Sequence, residues 1–376
     1  MKYIKQLDSV RAIAVIFVII SHWFPFRFIE MLQLGSIGVD IFFVLSGFLI
    51  TRILLDAKES GARKSNVMKN FYARRILRIF PVYYVTISLL LLFHYYTGSH
   101  IQEAFAWFLS YTQNYYFYHI QSWDGPVSHL WSLAVEEQFY LIWPWVVVFI
   151  NRKYTIHAIV LFILTGVFSH IIMRYHFLGD ILTPACFDSF GMGALLAWFI
   201  NYKSNSMPRF FSWLKVLAGI SFAVYVESRY LGNWIPLRTL ISVMALWLIT
   251  YIMMNYNSNQ LKFKFVLNNP SFIYIGKISY GIYLFHRLVG TVLNSAFIDK
   301  YLNPLLPDFI YKKFWGELYL LENVILLMLI SWLSYTFLEQ PFLRLKKFFR
   351  FDKQKLLNVS MSQRTDVIAT PVEGDF

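Results

Sequence analysis

Hydrophobic positions along this chain fall into ten long runs separated by shorter polar stretches. Their approximate limits are 7–28, 36–56, 79–97, 130–150, 155–176, 181–200, 211–228, 235–255, 269–295 and 317–341. Each is close to the roughly 20 apolar residues that cross the hydrocarbon core as a helix. The pattern predicts an all-α, polytopic transmembrane bundle of about ten spans, with one domain over 1–350 and a short polar tail over 351–376. The stretch 98–129 between the third and fourth runs is rich in Tyr, Phe and Trp. It reads either as an interfacial aromatic belt or as a sugar-stacking lip over a cavity. No internal repeat is visible, so the inverted-repeat signature of many transporters is missing.

Composition agrees: 57% of the 376 residues are hydrophobic, 20% aromatic and only 15% charged, against about 25% charged in a typical soluble domain. The net charge of +13 fits nucleic-acid binding in principle, but its distribution decides otherwise. Of the 34 Lys and Arg, 23 fall in alternate connecting segments, the two ends and the adjoining span ends, and seven on the opposite side. That asymmetry is the positive-inside pattern, with both termini cytoplasmic and no nucleic-acid partner. The start, Met1-Lys2-Tyr3-Ile4-Lys5, imitates a signal peptide. The run after it is long, contains Arg11 and lacks a small-residue cleavage site, so it is expected to be retained. The lone cysteine, Cys186, precludes an internal disulfide, and no metal-ligand spacing appears, so no metal is expected.

Polar residues inside the apolar runs carry the chemistry. Arg11 and His22 both lie in the first run. Eleven positions apart, they fall nearly on one face, about 16 Å apart along the axis. An arginine there costs about 2.5–3.5 kcal/mol on insertion scales, so such groups usually face a cavity or a partner. For Arg11 the candidate partners are Asp8 and Asp40. Arg74, Arg75 and Arg78 stand where the basic loop 57–78 enters the third run. They suit either lipid headgroups or a phosphorylated ligand, since guanidinium forks grip phosphate oxygens bidentately. In the fourth run, His129, Ser132, Glu136 and Tyr140 share a helical face by their spacing, and Glu136 is followed by Glu137. A carboxylate beside a histidine suits general-base catalysis. Ser46 and Gly47 read as close-packing residues. His286, one turn past Tyr283, lines a cavity or makes an interhelical hydrogen bond. Lys277 and Arg287 read as snorkelling side chains, and Glu339-Gln340-Pro341 as the end of the last helix.

Six segments, in order, resemble the membrane acyltransferase 3 family of polytopic O-acyltransferases. They are LDSVRAIAVIFVIISH (7–22), GVDIFFVLSGFLIT (38–51), FYARRILRIFPVYY (71–84), HLWSLAVEEQFYLIWP (129–144), GKISYGIYLFH (276–286) and LEQPF (338–342). The resemblance is to the type without a C-terminal esterase-like domain, so transfer would finish without one or with a separate extracytoplasmic partner. It implies transfer of an acyl group, usually acetyl, from cytoplasmic acyl-CoA to a hydroxyl of an extracytoplasmic glycan or glycolipid. That places the protein in the bacterial inner membrane among its lipids. The acceptor class would be lipopolysaccharide O-antigen, capsule or exopolysaccharide, with peptidoglycan and a small glycosylated metabolite also open. On this reading Arg11, Arg75 and Arg78 bind the acyl-CoA donor. His22 is the base, oriented or charge-balanced by Glu136, or else the carrier of an acyl-histidine intermediate. Asp40, His129, Ser132, Tyr140 and His286 support the substrate. A transporter of a sugar-linked or anionic substrate would also place Arg, His and Glu within spans. A catalytically silent scaffold is the non-enzyme alternative.

Overall fold

The structure is a computed structural model that describes residues 3–24, 27–173, 175–231, 236–258, 261–305 and 307–349. The tail 351–376 lies outside the described residues. All the regular secondary structure among them is helical. Eight helical segments are long and apolar enough to cross a membrane. The other two predicted spans are helical too. One is Trp131–Phe149, which carries Glu136 and Glu137. The other is broken at Ile278 into Pro270–Lys277 and Ser279–Leu288.

The helices that position the site are α1 (Lys5–Trp23), α2 (Leu34–Glu59) and α3 (Lys64–Leu92) from the N-terminal third. Two short helices, α4 (Ile101–Leu109) and α5 (Gln113–Ile120), follow, and then α6 (Trp131–Phe149). Beyond it come α7 (Arg152–Met173), α8 (Phe187–Tyr202), α9 (Met207–Leu231) and α10 (Leu237–Asn255). The chain then forms α11 (Pro270–Lys277), α12 (Ser279–Leu288) and α13 (Asp308–Ser334). Burial separates an inner set from a lipid-facing ring. The most apolar window of α2 is 67% buried and that of α7 only 11%. Alpha-2 packs on α1 and α8, and α1 also packs on α11 and α12. Close approach of α2 and α8 depends on glycine: a Cβ at Gly47 would overlap the Phe190 carbonyl, and one at Gly193 the Val44 carbonyl. Gly47→Ala is therefore expected to cost about 1–3 kcal/mol, the usual range for overpacking a core. A lowered melting temperature in detergent is the readout, with turnover per folded molecule unchanged.

Three expectations change. The basic stretch ahead of the third span is helix, because α3 begins at Lys64. Its Lys, Arg, Met and Asn residues tolerate helix, and the break falls earlier, at Gly61 with φ +71°. The chain does not leave the helix at Glu339-Gln340-Pro341. A π-helical turn at Tyr335–Glu339 leads into Gln340–Arg344. Pro341 sits in the first turn of that segment, the position in a helix that best tolerates its missing N–H. His129 lies in a 3₁₀ turn, Gly125–Leu130, ahead of α6 rather than in the helix. The aromatic stretch before it is partly core: Phe108 and Phe117 are buried and Tyr111 stacks on Tyr83 at 4.1 Å, whereas Trp107, Tyr115 and Trp123 remain exposed.

Candidate active site

Two cavities open along α1, one toward each end. The larger, about 870 Å³, is lined by Asp8 and Arg11 near the start of α1, by Arg74, Arg75 and Arg78 on α3, and by Ser132, Glu136, Glu137 and Tyr140 on α6. The smaller, about 330 Å³, is lined by Ser21 and His22 near the end of α1, by Gly35 and Ser36 on α2, and by Trp123, His129, Trp131 and Arg287. Val39 and Tyr283 line both, so these two residues form the wall between the chambers.

The large chamber is basic along one side and acidic along the other. Arg11 Nη1 donates to Asp8 Oδ1 at 2.6 Å, which assigns its partner. Asp8 also accepts from the Tyr3 hydroxyl. Arg75 lies against two rings, its guanidinium carbon 5.0 Å from the Tyr140 centroid and 5.6 Å from that of Phe71. Cation–π contact holds the fork flat while keeping its charge. Glu136 Oε1 accepts from Ser46 Oγ at 2.9 Å, and its Oε2 from the Tyr140 hydroxyl at 3.2 Å. Ser46 therefore binds a site residue, while its neighbour Gly47 does the packing. Glu339 and Lys346, which sequence reasoning did not assign to a site, also line this chamber. The available signal was a carboxylate and a lysine just beyond an apolar run that does not end where proline implied.

The small chamber holds histidines instead. His22 Nδ1 and His286 Nε2 are 3.0 Å apart, and His286 Nδ1 lies 2.7 Å from the Tyr283 carbonyl oxygen. His129 Nε2 is 3.1 Å from the Leu284 carbonyl oxygen. Exposure ranks the three: His286 is 0% and His129 4% exposed, whereas His22 is exposed. Only His22 presents an open ring to a molecule in the chamber. The wall is latched from behind. Ser132 Oγ and the Tyr283 hydroxyl are 2.5 Å apart, and that hydroxyl donates to the His129 carbonyl at 3.0 Å. Outside the spans, Asp124 steadies the rim: its carboxylate accepts the His100 backbone N–H at 3.1 Å. Burial raises its pKa above the usual carboxylate value.

Several predicted groupings separate. Glu136 is bonded to Ser46 and Tyr140 in the large chamber, and does not orient His22, whose ring partner is His286. His129 parts company with Ser132, Glu136 and Tyr140, because the 3₁₀ turn takes it to the other chamber. His286 lines neither chamber. Asp40 is buried away from both, its Oδ1 accepting from Arg238 Nε at 2.9 Å. Arg238 Nη1 also donates to the carbonyls of Asp180 at 2.6 Å and Ala185 at 3.1 Å. This is a clamp joining α2, α10 and the approach to α8. Arg287 and Lys277, read as snorkelling, line the small and large chambers respectively.

A helical bundle with this many apolar spans and two polar chambers inside it defines a multi-pass membrane protein. Comparison with known proteins makes the class specific. Residues 4–339 match the family model described as an acyltransferase domain, and the chain belongs to that acyltransferase 3 family. Among its relatives, SACOL0978 of Staphylococcus aureus (strain COL) is 30% identical, over 91% of this chain and 58% of its own length. The O-acetyltransferase OatA of Staphylococcus aureus (strain NCTC 8325 / PS 47) is 28% identical, over 90% of this chain and 57% of its own. This chain thus spans somewhat over half the length of the curated relatives it matches. No solved structure matches it.

Proposed function

We propose that this chain is an integral-membrane O-acyltransferase of the bacterial inner membrane. It moves an acyl group, acetyl by its likeness to OatA, from cytoplasmic acyl-CoA to a hydroxyl of an extracytoplasmic glycan of the O-antigen, capsule or exopolysaccharide type. The observation that carries this reading is the pair of chambers that, among the described residues, share only Val39 and Tyr283 as common lining. A donor and an acceptor kept on opposite sides of a membrane need such a meeting point.

The chemistry supports the assignment of ends. Positive-inside counting puts the arginine chamber at the cytoplasmic face. At about 870 Å³ it is within the roughly 300–1,000 Å³ of small-molecule sites. Arg75 and Arg78, three residues apart on α3, offer two forks to the phosphates of CoA, with Arg11 further along toward the wall. The slender pantetheine arm then brings the thioester to the wall. A hydroxyl in the small chamber attacks the thioester carbonyl as His22 takes its proton, and the CoA thiolate departs. Trp123 and Trp131 offer apolar ring faces for a sugar. Glu136 stays in the donor chamber, where it faces Arg75 rather than the base.

Arg75→Ala combined with Arg78→Ala is expected to raise the KM for acetyl-CoA on the order of a hundredfold. Each charge-assisted hydrogen bond is worth about 1.5–3 kcal/mol, and screening and alternative contacts return part of it. An unchanged KM would make the pair lipid anchors. The reading as a whole is tested by acetyl transfer from radiolabelled acetyl-CoA in membranes carrying this protein, with His22→Ala alongside. Label in an alkali-labile glycan fraction, present only with the unaltered protein, is the expected result. Acyl-CoA binding without any transfer would favour a silent scaffold, and glycan flux without acyl-CoA a transporter.

A further inference from the structure

We infer that His286 is a positioning residue that holds His22 in a single tautomer, with the proton on Nδ1 and the lone pair on Nε2. The inference rests on the reading of His22 as the base but is measurable apart from it. It follows from which atoms can donate. The Tyr283 carbonyl oxygen, 2.7 Å from His286 Nδ1, can only accept, so that nitrogen carries a proton. A neutral imidazole then has its lone pair on Nε2. That nitrogen faces His22 Nδ1 at 3.0 Å, and two lone pairs would repel at this distance. His22 Nδ1 must therefore be the donor, which leaves Nε2 as its acceptor.

The alternative, a cationic His286 donating from both nitrogens, is disfavoured by its surroundings. The ring is fully buried and no carboxylate is among its bonded partners. Its neighbours are the His129 ring, 4.7 Å away between centroids and 73° between planes, and Arg287, the next residue on α12. A second charge there would be expensive. The relay is also rigid. His129 is tethered to the Leu284 carbonyl, and the Trp23 indole N–H donates to the His286 carbonyl at 3.1 Å. That contact ties the end of α1 to α12. When His22 accepts a proton from a hydroxyl, positive charge develops on its ring. His286 Nε2 then stabilises the Nδ1–H, as the carboxylate orienting a triad histidine does. His286 lines neither chamber, so its effect is exerted through His22.

The experiment is ¹⁵N NMR of the full chain in detergent, labelled at its nine histidines, with His22 assigned by its loss in His22→Ala. A protonated Nδ1 and an unprotonated Nε2 at His22 are expected. The opposite tautomer would overturn the inference, whether or not acyl transfer is observed. His286→Leu and His286→Gln give the kinetic arm, compared per folded molecule. The glutamine oxygen can still accept from His22 Nδ1, whereas leucine cannot. His286→Leu is expected to lower kcat on the order of a hundredfold with the acetyl-CoA KM unchanged, and His286→Gln to recover most of that loss. A merely structural histidine would shift the melting temperature and leave kcat in place. Equal losses in both variants would also sink the idea. Should the leucine variant fail to fold, the tautomer of the unaltered protein decides.

Discussion

Replacing His22 by alanine is expected to lower acetyl transfer about a thousandfold, while acetyl-CoA still binds with its normal affinity. The magnitude is the middle of the range for removing a positioned general base, roughly 10²–10⁴. Intact donor binding follows from the layout: His22 lines the small chamber, and Arg11, Arg75 and Arg78 line the other. The two measurements are initial rates with labelled acetyl-CoA and direct binding of acetyl-CoA to purified protein. Turnover within a few-fold of normal would remove His22 from the mechanism. A parallel fall in binding would mean that the substitution had disturbed the bundle. Incubation with labelled acetyl-CoA and no acceptor separates the two roles open to this residue. Label retained on the protein and lost in His22→Ala would indicate an acyl-histidine, whereas an unlabelled protein indicates direct transfer with His22 as base.

Asp40→Ala is expected to act on stability rather than on turnover. It would remove the carboxylate in direct contact with the buried Arg238 guanidinium, leaving it two backbone carbonyls and the more distant charges of Asp180 and Asp188. Removing one partner of a buried pair costs about 3–5 kcal/mol, a large share of the roughly 5–15 kcal/mol that keeps a typical domain folded. The expected outcome is a sharp loss of well-folded protein from membranes and a lower melting temperature. Whatever folds should turn over normally. Asp40→Leu with Arg238→Met should recover much of the yield, since an apolar pair of similar volume is often neutral or better than a buried ion pair. Normal yield with lost turnover would return Asp40 to the substrate site.

The sequence made the arginine-lined chamber more legible than the histidine-lined one. Arg11, Arg75, Arg78, Ser132, Glu136 and Tyr140 were found from charge inside apolar runs and from helical spacing. All six line one chamber, because each spacing argument stays within a single helix. Arg11's partner was narrowed to two carboxylates, and the nearer one, Asp8, is bonded to it. The groupings that failed all cross between helices or depend on an exact boundary. A carboxylate beside a histidine suits general-base catalysis, which pairs Glu136 with His22 on chemistry alone, yet periodicity says nothing of depth in the bundle. His129 left its expected face because the helix starts two residues after it. Asp40 found Arg238, a residue 198 positions away, which no local pattern can indicate.

What the sequence determined alone is the class of the molecule: a helical membrane bundle, the polar side chains it cannot afford to show to lipid, and the order of segments that marks its family. Those follow from local rules, since hydropathy and helical periodicity act over one span at a time. The tertiary structure alone decided how the polar groups divide between two chambers and that Val39 and Tyr283 stand between them. It also decided that the partner of His22 is a histidine on α12. Each of these is a contact between helices far apart in the chain, fixed by packing of whole surfaces, and a single span's sequence does not carry that information.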